Sequence, residues 1–207
     1  PLEASARGTA VHAALERFAN RFDDTPPADC PALFAQLLNE ALQEAGLAEH
    51  ALARESALAR HGGPWFTAFE ARRRDGADRH VEQFGQLDLD VNGRPFRLTA
   101  KADRIEVRPE GADILDFKTG APPNKPEVAR GFAPQLTLTA AILRRGAFPA
   151  VGPVAARDLT YVRVTCRKPP GTEVPAVKPG QADAEGERAL GGLVRKVAEF
   201  DDPATPY

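Results

Sequence analysis

Residues 86–118 decide the fold of this chain, and they read QLDLDVNGRPFRLTAKADRIEVRPEGADILDFK. Apolar and polar residues alternate in the first part of this stretch, and a period of two is typical of a strand with one buried face. Asn92-Gly93 is a strong signal for a two-residue hairpin turn, and Pro109-Glu110-Gly111 marks a second turn. The stretch therefore predicts an antiparallel meander of three strands.

Helices are predicted on the N-terminal side of the meander. Apolar residues at helical spacing indicate three helices within about 1–78. Thr25-Pro26-Pro27 is expected to end the first helix, and Gly62-Gly63-Pro64 is expected to interrupt the third. The third helix closes on Arg72-Arg73-Arg74, the densest positive charge in the chain. The first part of the chain is therefore predicted to be helical.

Further elements are predicted after the meander. A helix at about 134–145, a strand at 159–165 and a closing helix to about residue 200 follow from the same patterns. Helices that flank a sheet define the α/β class. The prediction is one domain over 1–207, with a helical part at about 1–78 and an α/β core with a mixed sheet at about 79–207.

Three carboxylates are predicted to form a row across the meander. If Asn92-Gly93 are the two turn residues, opposed positions on the first two strands sum to 185, so Glu82 faces Asp103. If the second turn is centred between residues 109 and 110, opposed positions sum to 219, so Asp103 faces Asp116. Side chains directly across a strand pair share one face, with Cβ atoms about 4.5–5.5 Å apart.

The charges on this face predict a cation site. Asp88 faces Arg97 in the same register, which is an ordinary ion pair, whereas opposed like charges are destabilising unless a cation lies between them. Hard oxygen ligands suit Mg²⁺ or Mn²⁺. Lys118 lies two residues beyond Asp116 and therefore on the same face, where it can stabilise a phosphate. The alternative from spacing alone is that these acids are simply solvated on a strand surface.

The composition excludes several classes of protein. The 207 residues are 43% hydrophobic and 27% charged, with a mean hydropathy of -0.36 and a net charge of -2. No segment approaches the ~20 apolar residues of a membrane span, and the charge balance excludes a strongly basic nucleic-acid binder. Cys30 and Cys166 are too few for a complete iron–sulfur cluster. The chain starts with Pro and has no Met, so we expect a domain excised from a larger protein.

Four motifs, taken together and in this order, resemble the PD-(D/E)XK nuclease superfamily and its RecB-like branch. They are GTAVHAALE at 8–16, KADRIE at 101–106, ILDFKTG at 114–120 and PQL at 134–136. Within that branch, the C-terminal nuclease domains of the AddB type, part of bacterial AddAB helicase–nucleases, are the most similar. The resemblance implies a restriction-endonuclease-like core.

The resemblance also implies a set of site residues. The catalytic residues would be Asp103, Asp116, Lys118 and Gln135, and the ligands of a Mg²⁺ or Mn²⁺ ion would be His12, Asp103, Asp116, the backbone carbonyl of Phe117 and Glu82. Gln135 would orient the lysine or the substrate phosphate. The alternatives are a helix histidine satisfied by Glu16, a surface glutamine, and a lysine that pairs across the strands. Thr139 replaces the tyrosine of the branch, and no iron–sulfur cluster is expected.

Local basic residues are the candidate contacts to a DNA backbone. They are Lys101, Arg104, Arg72, Arg73 and Arg74. The alternative for the arginine run is a solvated helix face.

The function implied is metal-dependent hydrolysis of DNA, of the exonuclease type, in a bacterial cytoplasmic helicase–nuclease that acts in double-strand-break repair and recombination. The sequence has no GxxxxGK[ST] motif. Unwinding would therefore belong to the remainder of the AddB-like subunit or to an AddA-like partner, which would deliver single-stranded DNA ends; no membrane partner is expected. The alternatives are a Cas4-like stand-alone exonuclease and a catalytically degenerate module that guides DNA or acts as a scaffold.

Overall fold

A computed structural model describes residues 2–22, 30–202 and 205. Its elements in chain order are α1 (Leu2–Arg21), α2 (Pro31–Glu44), α3 (Glu49–Arg74), β1 (Asp78–Val91), β2 (Arg94–Arg108), β3 (Gly111–Lys118), α4 (Lys125–Ala129), α5 (Gln135–Arg144), β4 (Ala156–Val164), β5 (Gly171–Pro175) and α6 (Ala182–Phe200). The turn predicted at Thr25-Pro26-Pro27 lies outside the described residues.

The five strands form one mixed sheet in the order β1-β2-β3-β4-β5. The first three are the predicted meander. The amide of Ala112 on β3 donates to the carbonyl of Ala155, just before β4, at 2.9 Å, so β3 and β4 start side by side and run parallel, with α4 and α5 in the crossover. The predicted mixed α/β fold, consistent with a restriction-endonuclease-like core, is confirmed. None of the described helices is long and apolar enough to cross a membrane.

The two turns set the register of the meander as predicted. Asn92 and Gly93 have φ values of 55° and 77°, and positive φ at both central residues is the geometry that a tight hairpin needs. Asp88 Oδ1 lies 2.7 Å from Arg97 Nε, which is the ion pair that the first register predicts. On the other side, β2 and β3 are antiparallel from Arg104↔Leu115 to Arg108↔Gly111, so every pair sums to 219.

The structure has two compact units. The first contains Pro1–Val81, Phe117–Pro122 and Tyr161–Val174. Buried rings join its three helices: the Phe18 ring of α1 lies 5.2 Å from Phe66 of α3, and Phe66 lies 4.7 Å from Phe34 of α2, measured between centroids. Burial of such large apolar side chains is the main stabilising contribution to a helical core.

Helix α3 is continuous through Gly62-Gly63-Pro64, so the predicted interruption is wrong. A Cβ atom at residue 63 would lie 2.4 Å from the carbonyl oxygen of Pro31, and one at residue 62 would lie 2.6 Å from Sγ of Cys166. The two glycines therefore allow neighbouring segments to approach the helix closely. Their role is in packing, which a local pattern does not reveal.

The second unit contains Glu82–Asp116, Pro123–Thr160 and Pro175–Tyr207. Its helix α6 buries Ala182, Gly186 and Leu190, which recur every fourth residue and form one stripe. A Cβ atom at Gly186 would lie 3.1 Å from Cβ of Ala140 on α5. The glycine thus lets α6 pack directly on α5.

Two short elements were not predicted from the sequence. Helix α4 follows a proline-rich segment. Asn124 begins it with a capping box, since its side chain accepts from the amide of Glu127 at 3.0 Å and its own amide donates to the Glu127 carboxylate at 2.7 Å. Strand β5 follows Pro169-Pro170. Its hairpin with β4 closes through the amide of Thr165, which donates to the carbonyl of Pro170 at 2.9 Å.

Candidate active site

Two of the predicted metal ligands converge on the meander. A carboxylate oxygen of Glu82 and one of Asp103 lie within 4.8 Å of each other, and both residues are half-buried. Two oxygens bound to one Mg²⁺ at about 2.1 Å are at most about 4.2 Å apart. The spacing of these oxygens therefore fits one shared cation after a small adjustment, as the chemistry of the donors also does.

Glu82 reaches this position from an unusual backbone conformation. Its φ is 52°, which is the left-handed region that residues with a Cβ rarely adopt and that costs about 1–3 kcal/mol. The prediction that Glu82 faces Asp103 assumes a regular strand, and the structure departs from one here. The carboxylates meet nonetheless, so the left-handed residue is part of what positions Glu82.

Lys101 neutralises part of this negative charge. Its Nζ forms an ion pair with Oε2 of Glu82, and its side chain is 63% exposed. Lys101 and Asp103 are two residues apart on β2, so they share a face of the strand. Lys101, which is predicted to contact DNA, therefore already pairs with Glu82, a predicted metal ligand.

Asp116 lies deep in the sheet, one residue beyond the observed pairs of β2 and β3. Those pairs reach Arg104↔Leu115, and the same register carried one residue further would pair Asp103 with Asp116, as predicted. Asp116 is 3% exposed, because β3 is buried on both faces up to Phe117. Lys118, half-buried, is two residues further on and therefore on the same face of β3 as Asp116.

His12 and Phe117 are in contact within the first unit. The half-buried His12 ring of α1 meets the Phe117 ring edge-on, with 6.4 Å between centroids, and Phe117 also packs on Phe69 at 6.3 Å. Phe117 stands between Asp116 and Lys118 in the chain. His12 thus packs against Phe117, the residue between Asp116 and Lys118.

Gln135 is the first residue of α5 and is exposed. One turn later, the hydroxyl of the buried Thr139 donates to the backbone carbonyl of Gln135 at 2.8 Å. A threonine hydroxyl that bonds back by four residues satisfies its own polar group when it is buried, and tends to bend the helix slightly. Thr139 therefore satisfies its hydroxyl within α5, in the position where the resemblance leads one to expect a tyrosine.

The whole chain matches one family. The family model of the PD-(D/E)XK nuclease superfamily matches residues 1–207. The chain belongs to the PD-(D/E)XK nuclease superfamily. Members of this superfamily generally use divalent metals, and the oxygen donors of Glu82 and Asp103 fit that requirement. Membership therefore indicates a nuclease and supports a divalent cation at this site.

Curated relatives of this PD-(D/E)XK chain occur in Rickettsia. It is 24% identical over 177 residues to an uncharacterized protein of Rickettsia bellii, and the alignment covers 78% of this chain and 21% of that protein. It is 35% identical over 78 residues to an uncharacterized protein of Rickettsia conorii, covering 37% of this chain and 9% of the relative. The chain thus spans about a fifth or less of these relatives. The crystal structure of SSO0001 aligns over 96% of both chains at 12% identity with a TM-score of 0.34, which is too low to establish a shared fold.

Most of the basic residues predicted to contact DNA are engaged within this PD-(D/E)XK fold. Arg104 is 1% exposed, and its Nε lies 2.8 Å from Oε1 of the buried Glu106. Arg74 is also buried; its Nε donates to Glu70 at 3.0 Å and its Nη2 to the carbonyl of Ala19 at 2.9 Å. The prediction of Arg74 and Arg104 as DNA contacts is therefore wrong, because carboxylates draw both guanidinium groups into the protein.

Arg72 and Arg73 share one partner. Both form ion pairs with the carboxylate of Glu173 on β5, and Arg73 Nε donates to it at 3.0 Å. The Arg73 side chain is 16% exposed, whereas that of Arg72 is 60% exposed. The run is therefore not a free basic patch, and only its Arg72 side chain is largely solvated.

The sequence analysis did not predict a buried network of charged side chains on β2 and β3. Asp113 on β3 is buried and accepts from Arg157 Nε at 2.8 Å, and this hydrogen bond raises the pKa of Arg157 above its ordinary value. Arg108 lies near both Asp113 and Glu106. The sequence did indicate this network, because charges of alternating sign occur at residues 104, 106 and 108. A period of two places these three side chains on one face of the strand.

Proposed function

We propose that this chain is a Mg²⁺- or Mn²⁺-dependent nuclease domain that hydrolyses phosphodiester bonds in DNA. The observation that carries the proposal is the convergence of the Glu82 and Asp103 carboxylates. Asp116 and Lys118 follow on the neighbouring strand in the register that continues from Arg104↔Leu115. Two acids and a lysine in this order on two strands match the motifs of the superfamily.

The ligands of the cation are proposed to be Asp103, Asp116 and Glu82, with His12 and the backbone carbonyl of Phe117 as further donors. A divalent cation at such a site lowers the pKa of a bound water and neutralises charge on the scissile phosphate. Asp103 and Asp116 would hold their oxygens in fixed positions because both sit on paired strands. The packing of His12 on Phe117 supports its place in the set.

Lys118 and Gln135 are proposed to act on the substrate. The ammonium of Lys118 would stabilise the negative charge that develops on the phosphate oxygens, an effect worth about 100- to 1,000-fold in rate for a single well-placed donor. Gln135, exposed at the start of α5, would orient the lysine or the phosphate.

We further propose an AddB-like context within the RecB-like branch. The four motifs favour the branch, and the small share of the relatives that the chain spans supports a domain of a larger protein. The sequence contains no GxxxxGK[ST] motif, so the helicase activity is assigned to the remainder of the subunit or to an AddA-like partner. The proposed substrate is then a single-stranded DNA end, delivered during bacterial double-strand-break repair in the cytoplasm.

The test is metal-dependent degradation of labelled single-stranded DNA by the wild-type protein and by Asp116→Asn and Lys118→Ala. Asp88→Asn is the matched control, because Asp88 is an exposed carboxylate on the same meander, paired with Arg97. We expect cleavage with Mg²⁺ or Mn²⁺, none with EDTA, and a loss in both site variants but not in the control. Unchanged cleavage by Asp116→Asn would refute the site, and a wild-type protein that neither cleaves DNA nor binds Mn²⁺ would refute the function.

A second candidate function is a degenerate module that binds DNA without cutting it. The observation that favours it is Thr139, which is buried and bonded to its own helix in the position of the tyrosine of the branch. Retained DNA binding and retained Mn²⁺ binding without any cleavage would support this module. Cleavage that depends on Asp116 would exclude it.

A further inference from the structure

A groove of about 630 Å³ lies within the second unit, between the segment that joins α4 to α5, helix α5 and helix α6. Its apolar lining includes Val128, Leu138 and Leu193. Pro134 also lines it and directly precedes Gln135. The groove therefore lies beside a residue that the proposed function places at the substrate phosphate.

The rim of this groove is positively charged. Among the described residues that line it, the charged side chains are Arg130, Arg188, Arg195, Lys196 and Glu199, four cations against one carboxylate. Two of the cations are engaged: Lys196 Nζ donates to Glu199 at 3.1 Å, and Arg188 Nε donates to Glu185 at 2.9 Å. Across the described part of the chain, no carboxylate pairs with Arg130 or Arg195, and both are exposed. Their charge is available to an anion.

An aromatic ring stands at the same groove. Phe132 lines it and is 78% exposed, which is exceptional for so large an apolar side chain. It follows Gly131, whose φ of 79° lies in the left-handed region that favours glycine. The ring therefore contributes little to the core, and its face is accessible.

We propose that this groove binds single-stranded nucleic acid. Arg130 and Arg195 pair with phosphates, and a base stacks on Phe132. Sequence-tolerant single-strand sites combine these two features, a cationic track for the backbone and an aromatic platform for bases. A duplex does not fit the same features, because its bases are already stacked and cannot cover the ring. The inference rests on the proposed function in one respect: it takes the bound single strand to be the substrate of the nuclease.

The experiment measures binding in EDTA, where no cleavage occurs. Fluorescence anisotropy of a labelled oligothymidylate of about 12 nucleotides, a length within the range of such sites, is titrated with the wild-type protein. At about 0.1 M salt, Arg130→Ala and Arg195→Ala should each weaken binding about fivefold and make the plot of log affinity against log salt about 0.7 less steep. Arg54→Ala is the matched control, an exposed arginine on α3 in the first unit, and should change neither value.

The ring is tested with two further variants. Phe132→Tyr keeps a stacking face and should bind as the wild type does, whereas Phe132→Leu keeps apolar area without that face and should weaken binding between about fivefold and a hundredfold. Equal binding by the two variants would overturn the inference and favour an apolar protein segment as the occupant. A wild-type protein that does not bind the oligonucleotide, or groove variants that behave like Arg54→Ala, would also overturn it.

The two proposals fail separately. Oligonucleotide binding that depends on Arg130 and Phe132, with neither metal-dependent cleavage nor Mn²⁺ binding, would keep the groove and refute the nuclease. Cleavage that depends on Asp116, with binding unaffected by Arg130 and Phe132, would keep the nuclease and refute the groove. Circular dichroism of each variant establishes that the fold is retained.

Discussion

Mg²⁺ should stabilise this protein against thermal unfolding, and the effect should depend on Asp103. The perturbation is Asp103→Asn, which removes one of the two carboxylates that lie within 4.8 Å of each other. Two unit charges at that distance repel each other by about 3.5 kcal/mol at an effective dielectric constant of about 20. A cation between them would replace this repulsion with attraction, so its binding favours the folded state.

The size of the expected effect follows from linkage. A ligand present at about 100 times its dissociation constant stabilises the folded state by about 2.7 kcal/mol, which is within the repulsion that the cation would remove. For a protein of this size, each kcal/mol corresponds to about 2–4 °C in Tm. The wild-type Tm should therefore rise by about 5–11 °C between EDTA and saturating Mg²⁺.

The assay is thermal unfolding followed by circular dichroism, with and without Mg²⁺. Asp103→Asn and Glu82→Gln should lose most of the rise, because each leaves a single carboxylate of the pair. Asp88→Asn should keep it, because Asp88 pairs with Arg97 on the surface of the meander. A wild-type Tm that Mg²⁺ leaves unchanged, or an equal rise in Asp103→Asn, would refute the assignment of a shared cation.

Three further predictions concern stability and reactivity. Arg104→Ala should destabilise the fold by about 3–5 kcal/mol in urea unfolding, because it removes the nearer of the two arginines that face the buried Glu106; a loss below about 1 kcal/mol would contradict this. Gly186→Val should cost about 1–3 kcal/mol in the same assay, since its side chain would collide with Ala140, and an unchanged midpoint would show that α6 can shift. Burial raises the pKa of the Cys166 thiol to about 11, so iodoacetamide should label it at pH 8 only in the unfolded protein, and rapid labelling of the native protein would disprove its burial.

The meander could be predicted because its determinants are local. Asn92-Gly93 and the turn before Gly111 fix both registers within a few residues, and alternation then assigns each side chain to a face. The same arithmetic places Asp103 beside Asp116. Glu82 is a partial success, because its carboxylate meets Asp103 but its left-handed backbone has no signal in the residue pattern.

The features that could not be predicted depend on contacts between residues that are distant in the chain. Glu173 engages Arg72 and Arg73 from 100 positions away, and no local pattern indicates such a partner. Gly62-Gly63 resembles a helix break until the neighbouring segments that approach it are known. The groove at Phe132 likewise requires α6 to lie against α5, which the periodicity of either helix alone does not determine.

The buried pair of Arg104 and Glu106 has a consequence for how this sequence can diverge. A one-residue insertion in the turn at Pro109-Glu110 would slip β3 against β2, turn Asp113 away from the face that holds these charges, and separate Asp103 from Asp116. Substitutions in the turn, by contrast, leave the register intact. Related sequences should therefore conserve the length of this turn more strictly than its residues. Where the residues of the turn have diverged beyond recognition, the absence of insertions and deletions would still mark the position of the site.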